Sequence, residues 1–421
     1  MNDVKFSMED RSGILQEAEI SKGINDYSAL FQIAKNGETQ YRESLGWHEV
    51  EEWAGNEWLT RYEILAKKVQ EEADVLVVVG VGGSNQAARA VVDGLGKKSK
   101  TKIIWAGNNI SAHSINEVLA AIEGKRVYID VIAKNFETLE PGIVFRALRA
   151  ALKKQYGEKY NERVICTGTE SSQFDELCSQ HGYTFLPFPE DIGGRYTAMS
   201  PVGLFPMAVA GMDIRAMAAG AKHMQDRLRS ETPEESAALR LAVIRNLLYQ
   251  KGYRMEMLAF FEPRLFRFAK WWMQLFAESE GKDDKGLYPL FGNYSEDLHS
   301  IGQFVQSGTP VLYEIFIDIC AQDSSCILPE HDIDDRFQYL DGKDFHEINK
   351  AAYEATVKAH SRRFPCGILQ VPALDEESFG QMFYFFEFVC YLSGKILGIN
   401  PFDQPGVEAY KEQMFRILGK Y

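Results

Sequence analysis

Asp74-Val-Leu-Val-Val-Val-Gly80-Val-Gly-Gly-Ser84-Asn85 is the stretch that decides the fold. Val75–Val79 is an unbroken apolar run rich in β-branched valine, the pattern of a strand buried on both faces. The glycines after it let the backbone approach a ligand closely, and the helix predicted from Asn85 to about Leu95 presents free N–H groups there. The pair reads as an anion-binding turn, with a tight structural turn as the plainer alternative. It is not a dinucleotide fingerprint, because the third glycine of that motif falls at Asn85. Nor is it a P-loop, since no Gly-Lys-Ser/Thr follows.

Outward from this turn, the short apolar runs Lys102–Trp105, Val127–Ile132 and Val164–Thr167 alternate with helical stretches Ala112–Ile122 and Pro141–Lys154. Alternation at this spacing predicts βαβ units and a parallel sheet covered on both sides. A second, looser series follows residue 215. Its candidate strands are Tyr253–Phe261, Val311–Ile319 and Gly367–Val371; its candidate helices are Glu234–Tyr249, Pro263–Glu278, Phe345–Arg362 and Ser378–Leu397. Residues 1–45 are polar and read as an irregular N-terminal arm. The chain divides into that arm, an α/β domain over 46–215, a second over 216–400 and a C-terminal helix over 401–421.

At 421 residues the chain has room for two or three cores, and 45% hydrophobic residues place it among ordinary globular proteins. Lys and Arg number 46 against 60 Asp and Glu, a net charge of −14, which argues against nucleic acid or an anionic membrane as partner. The six cysteines are scattered and form no C-x-x-C pair, so reduced thiols in a cytoplasmic protein are expected. The N-terminus shows no apolar leader and no run is long enough to span a bilayer. No histidine-rich ligand pattern occurs, so neither a metal nor another cofactor is expected.

Four further segments could carry chemistry. Val131–Pro141 is a strand-to-helix junction in which Thr138 is placed as a cap, and a plain capped helix is its simpler reading. In Asp191–Ser200, Gly193-Gly194-Arg195 holds a cation ahead of an apolar run, where it could stabilise an oxyanion or simply form a surface turn. Trp271–Asp283 ends an aromatic helix in Glu278-Ser-Glu280; a carboxylate beside so much apolar surface can act as a general base, or be a solvated helix end. His299 stands alone between Glu296 and Gln303, and a lone histidine is more often structural than catalytic.

Taken in order, GVGGSNQAARA, WAGNNIS, IAKNFETLEPGIVFRAL, DIGGRYTAMSPVGLFPMAVAG, WWMQLFAESEGKD, DLHSIGQFVQ and NPFDQPGVEAYK resemble the bacterial glucose-6-phosphate isomerase family from about residue 45 onward. The resemblance implies two flavodoxin-like, doubly wound sugar-isomerase domains. It also implies a homodimer with active sites at the subunit interface. It implies that Glu278 is the base moving a proton between C2 and C1 through a cis-enediol(ate), and that Arg195 stabilises the intermediate's charge. His299, arriving from the neighbouring subunit, and Lys411 would assist ring opening. Gly83, Gln274 and Gln404 would line the sugar pocket.

At the other end of the substrate the family carries a Ser/Thr-rich loop for the C6 phosphate. Here that loop reads Ala133-Lys134-Asn135-Phe136-Glu137-Thr138, so Ser84 and Thr138 remain as hydroxyls, beside Lys134 and Asn135, while Glu137 adds a carboxylate. A phosphate monoester carries about −1.5 to −2 charges at pH 7. A singly charged sulfonate suits an acidic loop better, so sulfoquinovose, converted to 6-deoxy-6-sulfofructose, is the favoured substrate on this reading. Glucose 6-phosphate is the alternative, followed by a non-catalytic sugar-phosphate-binding regulator and a nucleotide-dependent dehydrogenase.

Overall fold

The computed structural model describes residues 3–96, 98–134 and 137–420; Asn135, expected in the site, lies outside them. The strands are β1 (Lys5–Glu9), β2 (Val75–Val79), β3 (Lys102–Ala106), β4 (Val127–Ala133), β5 (Val164–Gly168), β6 (Thr184–Pro187), β7 (Met255–Phe260), β8 (Tyr288–Asn293), β9 (Leu312–Ala321) and β10 (Cys366–Ala373). They form two five-stranded sheets, ordered β3-β2-β4-β5-β6 and β1-β10-β9-β7-β8. All pairings in the first sheet are parallel. In the second, β8, β7, β9 and β10 run parallel and β1 closes the edge antiparallel. The chain is an α/β protein with two sheet-containing parts.

Every residue of β2 and β4 is buried, as the continuous apolar runs require. Alternate side chains serve different layers. Val75, Val77 and Val79 pack with Val144, Phe145 and Leu148 of helix Leu139–Tyr156 on one face of the first sheet. Leu76 and Val78 face the core shared with the second half of the chain. Helix Glu376–Leu397 runs through that shared core, with all but one residue of Glu376–Gly394 buried. Asp375 caps its start by accepting from the Ser378 N–H, and Gly398 ends it in the left-handed region.

The arm read as irregular is ordered. Residues 5–9 form β1, registered against β10 from Lys5↔Gln370 to Glu9↔Cys366, and helices Glu17–Asp26 and Ser28–Asn36 follow. An edge strand of five residues whose partner lies some 360 positions away leaves no local signal. β6 and β8 were also unforeseen. β8 carries Pro289 and Gly292, residues that weaken a strand signal, and its burial is uneven.

Candidate active site

Two turns meet at the C-terminal edge of the first sheet. In the first, after β2, Gly82 has a positive φ of 57° and the buried Asn85 side chain donates to the Gly80 carbonyl at 2.8 Å. Asn85 thus closes the turn by a side-chain bond where a dinucleotide fold would carry a third glycine. The second turn, Gly194–Tyr196, lies against it so closely that a Cβ on Gly83 would stand 1.7 Å from the Gly194 oxygen. Thr197 Oγ1 sits 2.9 Å from both the Gly83 and the Gly194 carbonyl oxygens and fastens the two.

This seam delivers Arg195, which is only 2% exposed. Its Nε donates to Ser279 Oγ at 2.8 Å, one terminal nitrogen to Gln404 Oε1 at 3.2 Å, and the other to the Pro401 and Asp403 carbonyls at 2.8 and 3.2 Å. Glu278 Oε2 lies 3.6 Å from the guanidinium, and Glu278 Oε1 accepts from Gln274 Nε2 at 3.0 Å. Gln274 and Glu278 are one helical turn apart on Phe266–Glu280, so both face the same side. Below the arginine, Tyr196 is fully buried against Trp47 at 5.1 Å and Phe402 at 5.5 Å. The cation is fixed in place rather than left to swing.

A carboxylate, a fixed guanidinium and two amides therefore converge, Glu278 and Gln274 from one helix and Arg195 and Gln404 from two distant segments. The carboxylate is one-third exposed, able to take and return a proton, while the guanidinium can balance an oxyanion without delivering one. Arg195, Glu278, Gln274, Gln404 and Gly83 are the expected residues that the structure brings together. Ser279, Lys282 and Asp403 were missed. Lys282 pairs with Asp403 at 2.7 Å, and burial lowers the pKa of its ammonium. Ser279 and Asp403 adjoin residues already singled out, but nothing in the sequence says that a hydroxyl or a carbonyl there would be used.

The remaining expected residues lie apart. Ser84 is half-buried at the end of the glycine turn. Thr138 takes the N-cap position of helix Leu139–Tyr156, its carbonyl accepting from Gly142 N at 3.2 Å. The Lys134 ammonium donates to the carbonyls of Glu190 and Ile192, each at 2.8 Å, and lies 5.5 Å over the Phe188 ring; burial lowers its pKa. Glu137 pairs with Lys420 at 3.0 Å. Lys411 is half-buried in helix Glu408–Ile417. His299 is exposed on the turn Glu296–His299, and no bond among the described residues joins it to Arg195 or Glu278. Among the described residues no three His, Cys, Asp or Glu side chains gather as a metal site would need, and no helix is long and apolar enough to cross a membrane.

Residues 64–420 match the family described as phosphoglucose isomerase. The chain belongs to that family. The glucose-6-phosphate isomerase of Staphylococcus saprophyticus is 42% identical over 392 residues, 89% of this chain and 87% of that protein. That of Shouchella clausii is 40% identical over 395 residues, 90% and 88% of the two chains. Among solved structures, a hypothetical protein from Thermus thermophilus superposes with a TM-score of 0.89 at 22% identity, covering 99% of this chain and all of the other. A glucose-6-phosphate isomerase from Chlamydia trachomatis gives 0.84 at 19% identity, covering 99% and 88%; at such identities the likeness is one of fold. As a phosphoglucose isomerase family member the chain is an aldose–ketose isomerase of carbohydrate metabolism, and the Glu278–Arg195 pair suits that chemistry.

Proposed function

We propose that this chain interconverts glucose 6-phosphate and fructose 6-phosphate. The observation carrying this is the convergence of Glu278, Arg195 and Gln274 in a chain whose relatives at 40–42% identity are named glucose-6-phosphate isomerases. Glu278 takes the C2 proton of the open-chain aldose as its carboxylate, leaving an enediolate whose negative charge faces Arg195. Return of that proton to C1, with transfer of the hydroxyl proton from O2 to O1, gives the ketose. Atoms and charge balance with no external oxidant. His299, supplied by a second copy of the chain, and Lys411 handle ring opening. Gly83 and Gln404 line the sugar.

The C6 anion meets the N–H groups of the Gly80–Ser84 turn, the Ser84 and Thr138 hydroxyls, and Asn135. The starts of helices Gln86–Leu95 and Leu139–Tyr156 add their positive ends. Lys134, its ammonium engaged with the 190–192 carbonyls, acts on this site by holding the loop that leads to Arg195. The expectation of a sulfonate counted Glu137 as an uncompensated charge. Lys420 at 3.0 Å supports a locally neutral loop that tolerates a dianion. Both halves are read as flavodoxin-like sugar-isomerase domains, meeting near residue 215, with two chains per active assembly and a cytoplasmic setting.

Steady-state kinetics on glucose 6-phosphate and sulfoquinovose, side by side, decide the substrate. A kcat/KM at least tenfold higher for the phosphate is expected. A value equal or higher for the sulfonate overturns the assignment while leaving the isomerase chemistry in place.

A further inference from the structure

Strand β9 carries Tyr313 and Glu314 side by side, both buried, and alternation along a strand sends them to opposite faces of the second sheet. On one face Tyr313 OH donates to Glu256 Oε1 at 2.5 Å, directly across the strand pair. The other oxygen of Glu256 pairs with Arg245, whose second terminal nitrogen donates to Glu280 Oε2 at 2.7 Å. Arg245 Nε reaches Ser393 Oγ at 3.2 Å, and the guanidinium lies 4.0 Å over the Phe276 ring. Arg245, Glu256 and Glu280 are each at most 1% exposed.

On the opposite face Glu314 accepts a hydrogen bond from Tyr294 OH through one oxygen, and its other oxygen lies 2.6 Å from His360 Nδ1. These three residues are buried too. Tyr294 is the residue that follows β8, packed on the Phe261 ring at 5.5 Å, and the chain turns from it directly into Glu296–His299.

Burying such groups costs several kcal/mol per ion, and apolar replacements of similar volume are often no less stable. Stability is therefore a poor reason for two such networks on one strand. Their outer ends are more telling. Glu280 ends the helix in which Ser279 holds Arg195 and Glu278 faces the site, while Tyr294 begins the turn that ends in His299.

We propose that Glu280, through Arg245, and Glu314, through Tyr294, are positioning residues: the first fixes Glu278 for the C2 proton, the second fixes the turn that offers His299 for ring opening. This rests on the roles given to Glu278 and His299 under the proposed function.

The two roles separate by chemistry. Opening a sugar ring and closing it on the other face interconverts the anomers and moves no C2 proton. Isomerisation lifts that proton onto Glu278, where it can exchange with solvent before it is returned. Both rates can be read by NMR on the assembled enzyme, using whichever of glucose 6-phosphate and sulfoquinovose the unaltered protein turns over. A wrong substrate assignment then shows in the unaltered enzyme, and a wrong positioning assignment only in the variants. Displacements near 1 Å can cost about 10²-fold in rate, so Glu280→Gln is expected to slow C2 exchange by about 10- to 100-fold, with KM within about threefold and anomer exchange nearly unchanged. Glu314→Gln is expected to slow anomer exchange by about tenfold or more, and C2 exchange only as far as the open form is depleted. If either glutamine variant fails to fold, Tyr313→Phe and Tyr294→Phe remove one hydroxyl from each network and should show the same division at smaller size. Folded variants in which both rates fall in parallel, or neither falls, overturn the proposal.

Discussion

The two sheets share a parallel run of strands under helices, yet put their polar residues to opposite uses. At the edge of the first, the turn after β2 offers backbone N–H groups through Gly80–Ser84, and the strands themselves are apolar apart from a few positions such as Asp130 and Thr167. In the second, the equivalent turn after β7 is Phe261-Glu262-Pro263, whose carboxylate is turned onto Arg264 at 3.0 Å. The buried charges of that sheet, Glu256 and Glu314, bond inward. One sheet leaves backbone N–H groups at its edge while the other ties its buried side chains to one another.

Glu278→Gln is the harshest test of that division, because it removes the proposed proton carrier while leaving the first sheet's glycine turn intact. General-base loss typically costs about 10²–10⁴ in rate, so C2-proton exchange should fall by that factor with KM almost unmoved. Unchanged exchange would remove Glu278 from the chemistry.

Gly83→Ala attacks the first sheet's seam instead. The added Cβ meets the Gly194 oxygen at 1.7 Å, so the two turns must part and Arg195 must move with them. Overpacking of this kind costs about 1–3 kcal/mol or more. The loss should appear both in the unfolding midpoint and as a fall in kcat. The contrasting change, Glu262→Ala in the turn after β7, breaks a largely buried ion pair, its side chains 13% and 30% exposed, and should leave kcat alone. Equal effects of the two would erase the asymmetry between the sheets.

How much of this was legible follows the same line. Val75–Val79 and its glycines announced a buried strand and a tight glycine turn, because both signals are local in sequence. The Glu278 and Arg195 motifs were readable through resemblance; their 3.6 Å approach was not, since it depends on how positions 195, 278 and 404 meet in space. β1 stayed hidden because its pairing with β10 is remote. Glu256 and Glu314 fall inside the candidate strands Tyr253–Phe261 and Val311–Ile319, and only their partners Arg245 and His360 make them intelligible. Lys420 has no motif at all; it matters only because its ammonium ends beside Glu137.

Asp130 gives the comparison a pH signature. It is fully buried in β4, and burial pushes its carboxyl up to about 8 from an ordinary value of 3.8. Between those values the folded chain keeps a proton that the unfolded chain has released, so Asp130 makes stability fall as pH rises from about 4 to 8. Asp130→Asn should flatten that slope in urea unfolding at pH 5 and pH 8, and an unchanged slope would show that Asp130 does not set it. His48 works in the opposite sense. Burial and the nearby Arg229 lower it to about 4, so its contribution is present above about pH 6.5 and is lost as pH falls toward 4.

The smallest expected effect bears most directly on the substrate. Glu137 and Lys420 are 63% and 35% exposed, so their pair is worth at most about 1 kcal/mol to the fold. Its influence on a nearby anion is what matters. Lys420→Met takes the Lys420 ammonium away from the Glu137 carboxylate and should raise KM for glucose 6-phosphate about threefold, a shift of roughly 0.7 kcal/mol, with kcat unchanged. Glu137→Gln should lower KM by a similar factor, and the double variant should return close to the starting value. The shifts should shrink from low to 0.5 M salt, where screening shortens the reach of exposed charges. They should also be larger for a dianion than for a sulfonate, because the interaction scales with the ligand's charge. KM values that ignore Lys420, or a response equal for both sugars, would mean that the carboxylate read in the loop as a warning against phosphate never faces the ligand.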